Sequence, residues 1–226
     1  RDPVPAHCER DPNWTSHIPT DLSDPADVEL FIGEALELLG DTPLNALVNN
    51  AAVSPKTDFQ ERLGCLNGPI DDWREVFQLN FFTPLVLARG FAPALAKAGK
   101  DEDAEATEAS GTEGGASIVN ITSIAGHAIH PFAGSAYSTS KAALSALTRE
   151  MAVEFAALGV RVNAVAPGEI ETEMVGDEYE PLVNRIPMHR MGTAGEVASA
   201  VFQLCNPDFS YVTGTEIFIT GGQHLY

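Results

Sequence analysis

Runs of β-branched and apolar residues alternate with stretches of helical period along almost the whole chain. Parallel strands need a helical crossover between them, so the alternation predicts an α/β fold built on a doubly wound, Rossmann-like parallel sheet. The strand candidates are 16–21 (SHIPTD), 45–50 (NALVNN), 116–123 (ASIVNITS), 160–167 (VRVNAVAP) and 216–221 (EIFITG). Helices are expected near 25–39, 72–97, 137–158 and 194–205. Pro19 cannot donate to a ladder, which places 16–21 at a sheet edge. The other runs are nearly continuous in apolar residues and suit interior strands. With 226 residues, 44% hydrophobic and 20% charged, a single domain with a sizeable core is expected.

Charge and cysteine usage remove several function classes. A net charge of -19 argues against nucleic acid and against an anionic membrane surface as partners. No apolar run reads as the roughly 20 residues of a membrane span, and no basic-then-apolar start resembles a signal peptide. Cys8, Cys65 and Cys205 lie far apart without a CxxC, and His189 and His224 lack ligand spacing. Neither a disulfide framework nor a metal site is expected, and a reducing cytoplasm fits best.

Two segments break the alternation. Residues 99–115 (GKDEDAEATEASGTEGG) hold too little apolar surface to order themselves, and read as a flexible acidic insertion on the surface. Residues 169–193 are irregular too, but carry Met174, Tyr179, Leu182, Ile186 and Met188, the composition of a lid over a pocket.

Within SAYSTSK (135–141), Tyr137 and Lys141 stand at i and i+4 near the start of a helix that Gly159 stops. The positive helix end and the ammonium would both favour a phenolate and lower the tyrosine pKa, making it a usable acid near neutrality. The same spacing also occurs on solvated helix faces. Ser123 ends the strand ASIVNITS, and in a wound sheet the ligand crevice lies at the carboxyl ends of the strands. It could polarise a substrate oxygen there, or cap the following turn. Pro84 has no N–H for the carbonyl of Asn80, four residues earlier, so that carbonyl is free to bind water or simply marks a kink.

Taken together, NNAA (49–52), LN (79–80), NITS (120–123), Tyr137-x-x-x-Lys141 and PGEIET (167–172) resemble the short-chain dehydrogenase/reductase family, in order and across essentially the whole chain. The resemblance implies that Tyr137 is the general acid/base and that Lys141 tunes it and holds the nicotinamide ribose. Ser123 would polarise the carbonyl, and Asn80 would anchor a relay water. For the cofactor it implies Asp21 and Leu22 beside the adenine, and Asn50, Ala51 and Ala52 in a turn whose last residue is glycine in the family. Pro167, Gly168, Ile170 and Thr172 would lie beside the carboxamide. A homo-oligomer, tetramer or dimer, packed through the two long helices is implied as well.

The implied activity is hydride transfer between NAD(P)(H) and a small carbonyl or alcohol substrate. A non-catalytic nucleotide- or partner-binding homologue, and an isomerase or dehydratase on the same scaffold, are the competing readings. The family's first βαβ unit, with its glycine-rich pyrophosphate loop, has no counterpart here, and is expected on an upstream segment. Arg1 could be the remnant of the strand end that meets the 2'-phosphate of NADP, or a plain loop residue; the reading leans to NADP, with NAD open. His127 and His130 could face the substrate but read first as solvated, Trp73 reads as a packing residue, and Asp71 and Asp72 as helix caps.

Overall fold

The computed structural model describes residues 16–56, 62–99, 115–171 and 180–225. Four strands, β1 (Ala46–Asn49), β2 (Ser117–Ile121), β3 (Arg161–Pro167) and β6 (Glu216–Ile219), form one parallel sheet in the order β1-β2-β3-β6. On one face α1 (Pro25–Leu39), α3 (Thr83–Gly99) and α4 (Ser135–Ala156) bury Val28, Leu87, Phe91, Met151 and Phe155 against Ile118 and Val162. On the other, Leu204 and its neighbours in α6 (Ala194–Cys205) cover Val119, Ile121 and Val165. Cover on both faces explains why β2 is buried at every position and why these strands read as unbroken apolar runs.

Local chemistry sets the helix ends. Asp24 caps α1 by accepting from Ala26 N–H, with Pro25 at the first helical position. Thr193 and Glu196 form a reciprocal capping box on α6. Asp71 and Asp72 do not cap: α2 (Ile70–Phe77) starts at Pro69, and the two acids lie in its first turn, where Asp71 pairs with Arg74 at 2.7 Å. Trp73 packs onto the cluster of Leu63, Val76 and Ala136.

Three expectations need correction. Residues 16–21 are not a strand, because Pro19 withholds a donor and the outer edge of β1 carries no ladder among the described residues. The helix expected at 72–97 is α2 and α3 joined by a π-helical turn, Gln78–Phe82, placed where Pro84 breaks the ladder. This run, Ile70–Gly99, is also long and apolar enough to cross a membrane by length and composition, which the sequence reading overlooked. Half of its apolar window is buried in the protein, the pattern of a core helix.

Within 169–193, β4 (Ile170–Glu171) pairs with β5 (Gly192–Thr193), and α5 (Glu180–Val183) precedes the buried Ile186. Leu182 is buried too, but Met188 is exposed. Met174, Tyr179 and most of the acidic insertion lie outside the described residues.

Candidate active site

The site forms where β2 ends. Ser123 follows that strand and caps a short 3-10 turn, accepting from Ala125 N–H at 3.1 Å. The turn then runs back against α4, and Gly126 permits the approach: a Cβ there would stand 2.8 Å from Ala142 N. This contact brings the end of β2 to the first turns of α4. The Tyr137 phenol shares a hydrogen bond with Ser123. One helical turn on, Lys141 is buried at 2% exposure, donates to the Ile121 carbonyl at 2.6 Å and holds its Nζ 5.8 Å from the centre of the Tyr137 ring.

The electrostatics differ from the sequence expectation. Burial pushes the Tyr137 phenol above its usual value, and the Ser123 hydrogen bond offsets only part of that. Burial lowers Lys141 from 10.5 to about 8. Removing the phenol from water disfavours the phenolate more than the nearby amine favours it, so Tyr137 is a held proton rather than an ionised base.

Asn80 is buried and fully engaged through its side chain. Its Oδ1 accepts from Val53 N–H at 2.9 Å, and Nδ2 donates to the Val53 carbonyl at 3.0 Å and to Ser140 Oγ at 3.1 Å. Ser140 in turn donates to the Tyr137 carbonyl at 2.8 Å. The amide therefore ties the segment after Ala52 to the tyrosine's own turn. Both of its side-chain N–H groups are thus used within the fold. In the π turn, Thr83 N–H donates to the Gln78 carbonyl, and Thr83 Oγ1 reaches the same carbonyl and that of Leu22.

Of the cofactor candidates, Leu22, Asn50 and Ala51 line one cavity of about 140 Å³ with Leu79, Thr83 and Pro84. Ala52 is exposed beside them. The Asp21 carboxylate is turned into its own turn, accepting from Ser23 N–H and Oγ, which holds it below the usual carboxylate range. Pro167 ends β3, Gly168 donates to the Ile219 carbonyl, and Ile170 lies in β4. Arg1 and Thr172 lie outside the described residues.

A second group pairs the loop histidines with carboxylates that the sequence did not connect to them. His130 is not solvated: its Nδ1 accepts from the N–H groups of Phe132 and Ala133, so its proton sits on Nε2, which donates to Glu169 at 2.5 Å. Gln223 Nε2 reaches the same carboxylate oxygen at 3.4 Å. His130 and Gln223 line a cavity of about 320 Å³ whose apolar wall is Ile124, Ala128, Ile129, Pro131 and Leu182, with Arg185 completing it. Because Ile124 is the residue after Ser123, this cavity adjoins the site. His127 is likewise engaged, bonding to Glu216 at 3.0 Å. Glu169 stood in the motif PGEIET, and Ser140 stood three residues after Tyr137; those were the available signals.

A doubly wound α/β sheet with a serine, a tyrosine and a lysine converging at the end of its central strand is a defined class of protein. The chain belongs to the short-chain dehydrogenase/reductase family: the family model described as enoyl-(acyl carrier protein) reductase matches residues 6–224. Protein FixR of Bradyrhizobium diazoefficiens is 49% identical over 210 residues, covering 92% of this chain and 70% of that protein. Galactitol 2-dehydrogenase (L-tagatose-forming) of Cereibacter sphaeroides is 32% identical over 214 residues, covering 91% and 75%. Among solved structures, a Brucella ovis short-chain oxidoreductase in complex with a partially ordered NAD is 45% identical. It matches over 90% of this chain and 78% of that one, with a TM-score of 0.71.

Proposed function

We propose that this chain is an NAD(P)-dependent oxidoreductase that moves a hydride between cofactor and a carbonyl or alcohol carbon. The observation that carries the proposal is the Tyr137 phenol bonded to Ser123 at the strand end, with the buried Lys141 one turn away. The residues fit the cofactor: the Lys141 ammonium has three N–H donors and one recorded acceptor, so it can still serve a polyhydroxylated group such as a ribose. When bound, the nicotinamide supplies or accepts the hydride at C4.

In carbonyl reduction, Ser123 donates a hydrogen bond to the substrate oxygen, and Tyr137 gives the same oxygen its proton as negative charge develops there. A phenol kept protonated by burial is ready for that direction. Alcohol oxidation needs the phenolate and should accelerate as pH rises. Asn80 holds the tyrosine's turn in place through Ser140, and its backbone carbonyl is the candidate holder of a relay water.

NADP is the favoured cofactor and NAD the alternative; a solved relative, ElxO, has NADP bound, and the Brucella ovis relative has NAD. A cytoplasmic location suits the free thiols of Cys65 and Cys205. Homo-oligomerisation through the long helices suits the exposed Val153 of α4 and Phe82 of the π turn.

The test is a screen of NADPH and NADH oxidation by the full-length protein over carbonyl classes, with Tyr137→Phe as control. Loss of the acid should lower kcat roughly 100- to 10,000-fold on the best substrate. A variant that consumes cofactor as fast as wild type would overturn the assignment. Turnover without net cofactor consumption would point to an isomerase or dehydratase instead.

A further inference from the structure

Two polar groups at the cavity beside Ser123 have no partner among the described residues, and one of them is charged. His130 spends both ring nitrogens inside the fold, on Glu169 and on two backbone N–H groups. Gln223 gives its amide N–H to Glu169, while its buried Oε1 has no partner among the described residues. Arg185, exposed at the rim, has no ion pair and no side-chain hydrogen bond among the described residues. Arg89 is equally without a partner among the described residues, but it lies on the exposed side of α3, whereas Arg185 borders the cavity. Arg74 has Asp71, Lys97 has Asp41 and Arg190 has Glu196. A guanidinium left free beside an apolar cavity is arranged to meet an anion from outside.

The geometry points to a substrate-binding subsite: Arg185 receives a carboxylate at the far end of a substrate whose reacting carbonyl lies at Ser123 and Tyr137. This rests on the oxidoreductase reading above and names its substrate class, an oxo- or hydroxy-carboxylic acid. Between its two polar ends such a substrate is apolar, because Ile124, Ala128, Ile129, Pro131 and Leu182 form the wall it must cross. A volume of about 320 Å³ lies at the low end of the roughly 300–1,000 Å³ of small-molecule sites, which favours a short chain. A monoanion suits the site better than a phosphate dianion, since one guanidinium must also outweigh Glu169 behind the wall and a net charge of -19. In the reduction, the carbonyl carbon gains the hydride and its oxygen gains the Tyr137 proton; the carboxylate is unchanged.

The probes are 6-oxoheptanoate and its methyl ester, compared by kcat/KM with full-length enzyme and NADPH. Wild type should prefer the acid by roughly 10- to 100-fold, the worth of a charge-assisted hydrogen bond. Arg185→Ala should bring the acid-to-ester ratio near one, mainly through the KM of the acid, and Arg185→Lys should recover part of it. Arg89→Ala removes an equal charge from the exposed side of α3 and should keep the wild-type ratio. A wild-type ratio near one, or an unchanged ratio in Arg185→Ala, overturns the subsite.

If neither probe turns over, hexanoate and hexanamide are compared as dead-end ligands by thermal shift of the NADP-loaded protein. A shift from hexanoate alone that Arg185→Ala abolishes supports the subsite, and equal shifts overturn it. Tyr137-dependent turnover without acid preference sinks only this inference. Absence of Tyr137-dependent turnover on every carbonyl class sinks the oxidoreductase reading.

Discussion

Holding the Lys141 ammonium inside the protein costs stability, because burial withdraws it from water and its recorded partner is a neutral carbonyl. Its folded value of about 8 lies below the ordinary 10.5. Below pH 8 both states carry the proton and the full cost is present; between about 8 and 10.5 the unfolded chain alone holds it, so stability rises with pH. Tyr137 acts in the opposite sense, but only above pH 10, where the unfolded phenol ionises first. The shift corresponds to about 3 kcal/mol, and the Ile121 hydrogen bond offsets about 1 kcal/mol. Lys141→Met should therefore be more stable than wild type at pH 7 by about 2 kcal/mol, with the gap closing by pH 10. Denaturant unfolding of both proteins at the two pH values measures it, and an equal gap at both contradicts the burial account. Tyr137, Lys141 and Ser123 were legible in the sequence because a helix fixes i and i+4 on one face and a strand run shows its own end. The direction of the tyrosine shift was not legible, since it depends on depth of burial. Nor was the pairing of His130 with Glu169, which are 39 residues apart and meet only when two loops pack together.

Among the elements, the π turn Gln78–Phe82 is the one whose geometry reaches the site. Pro84 withholds the N–H that would bind the Asn80 carbonyl, and Thr83 closes a wider ring onto Gln78. Asn80 is thereby aimed at Val53 and Ser140. Pro84→Ala restores the donor and should let the turn relax toward a regular α-helix, swinging Asn80 off its partners. Because misplacement of about 1 Å can cost 100-fold, turnover on the best substrate should fall at least about tenfold. The melting temperature should change little, since a regained helix bond balances lost side-chain bonds. Wild-type turnover in this variant would separate the π turn from function. The proline and its consequence for Asn80 could be read from the chain, and so could α1 and α6, whose ends are set by local caps. SHIPTD could not be judged that way, because a strand exists only if a neighbour offers it a ladder, and this neighbour is lacking on the outer side of β1 among the described residues.

For the whole molecule the governing quantity is its charge of -19, a number composition gives without saying where the field acts. Repulsion among exposed carboxylates opposes the compact state, and salt screens it over a Debye length that falls from about 30 Å at 0.01 M to about 8 Å at 0.15 M. The melting temperature should accordingly rise by a few degrees across that range. A dinucleotide cofactor is itself an anion and must approach through the same field. On the proposed reading that Lys141 holds it, the attraction acts at short range in a buried place, where ions screen poorly, while the repulsion acts at long range through solvent. Adding salt thus removes more repulsion than attraction, and kcat/KM for NADPH should increase from 0.01 to 0.15 M KCl at constant pH. A basic cleft would give the opposite slope, because salt would then screen the attraction that steers the cofactor in. Steady-state rates at limiting NADPH over that salt series decide between the two. A falling rate would mean that positive potential at the cleft overrides the molecule's net charge.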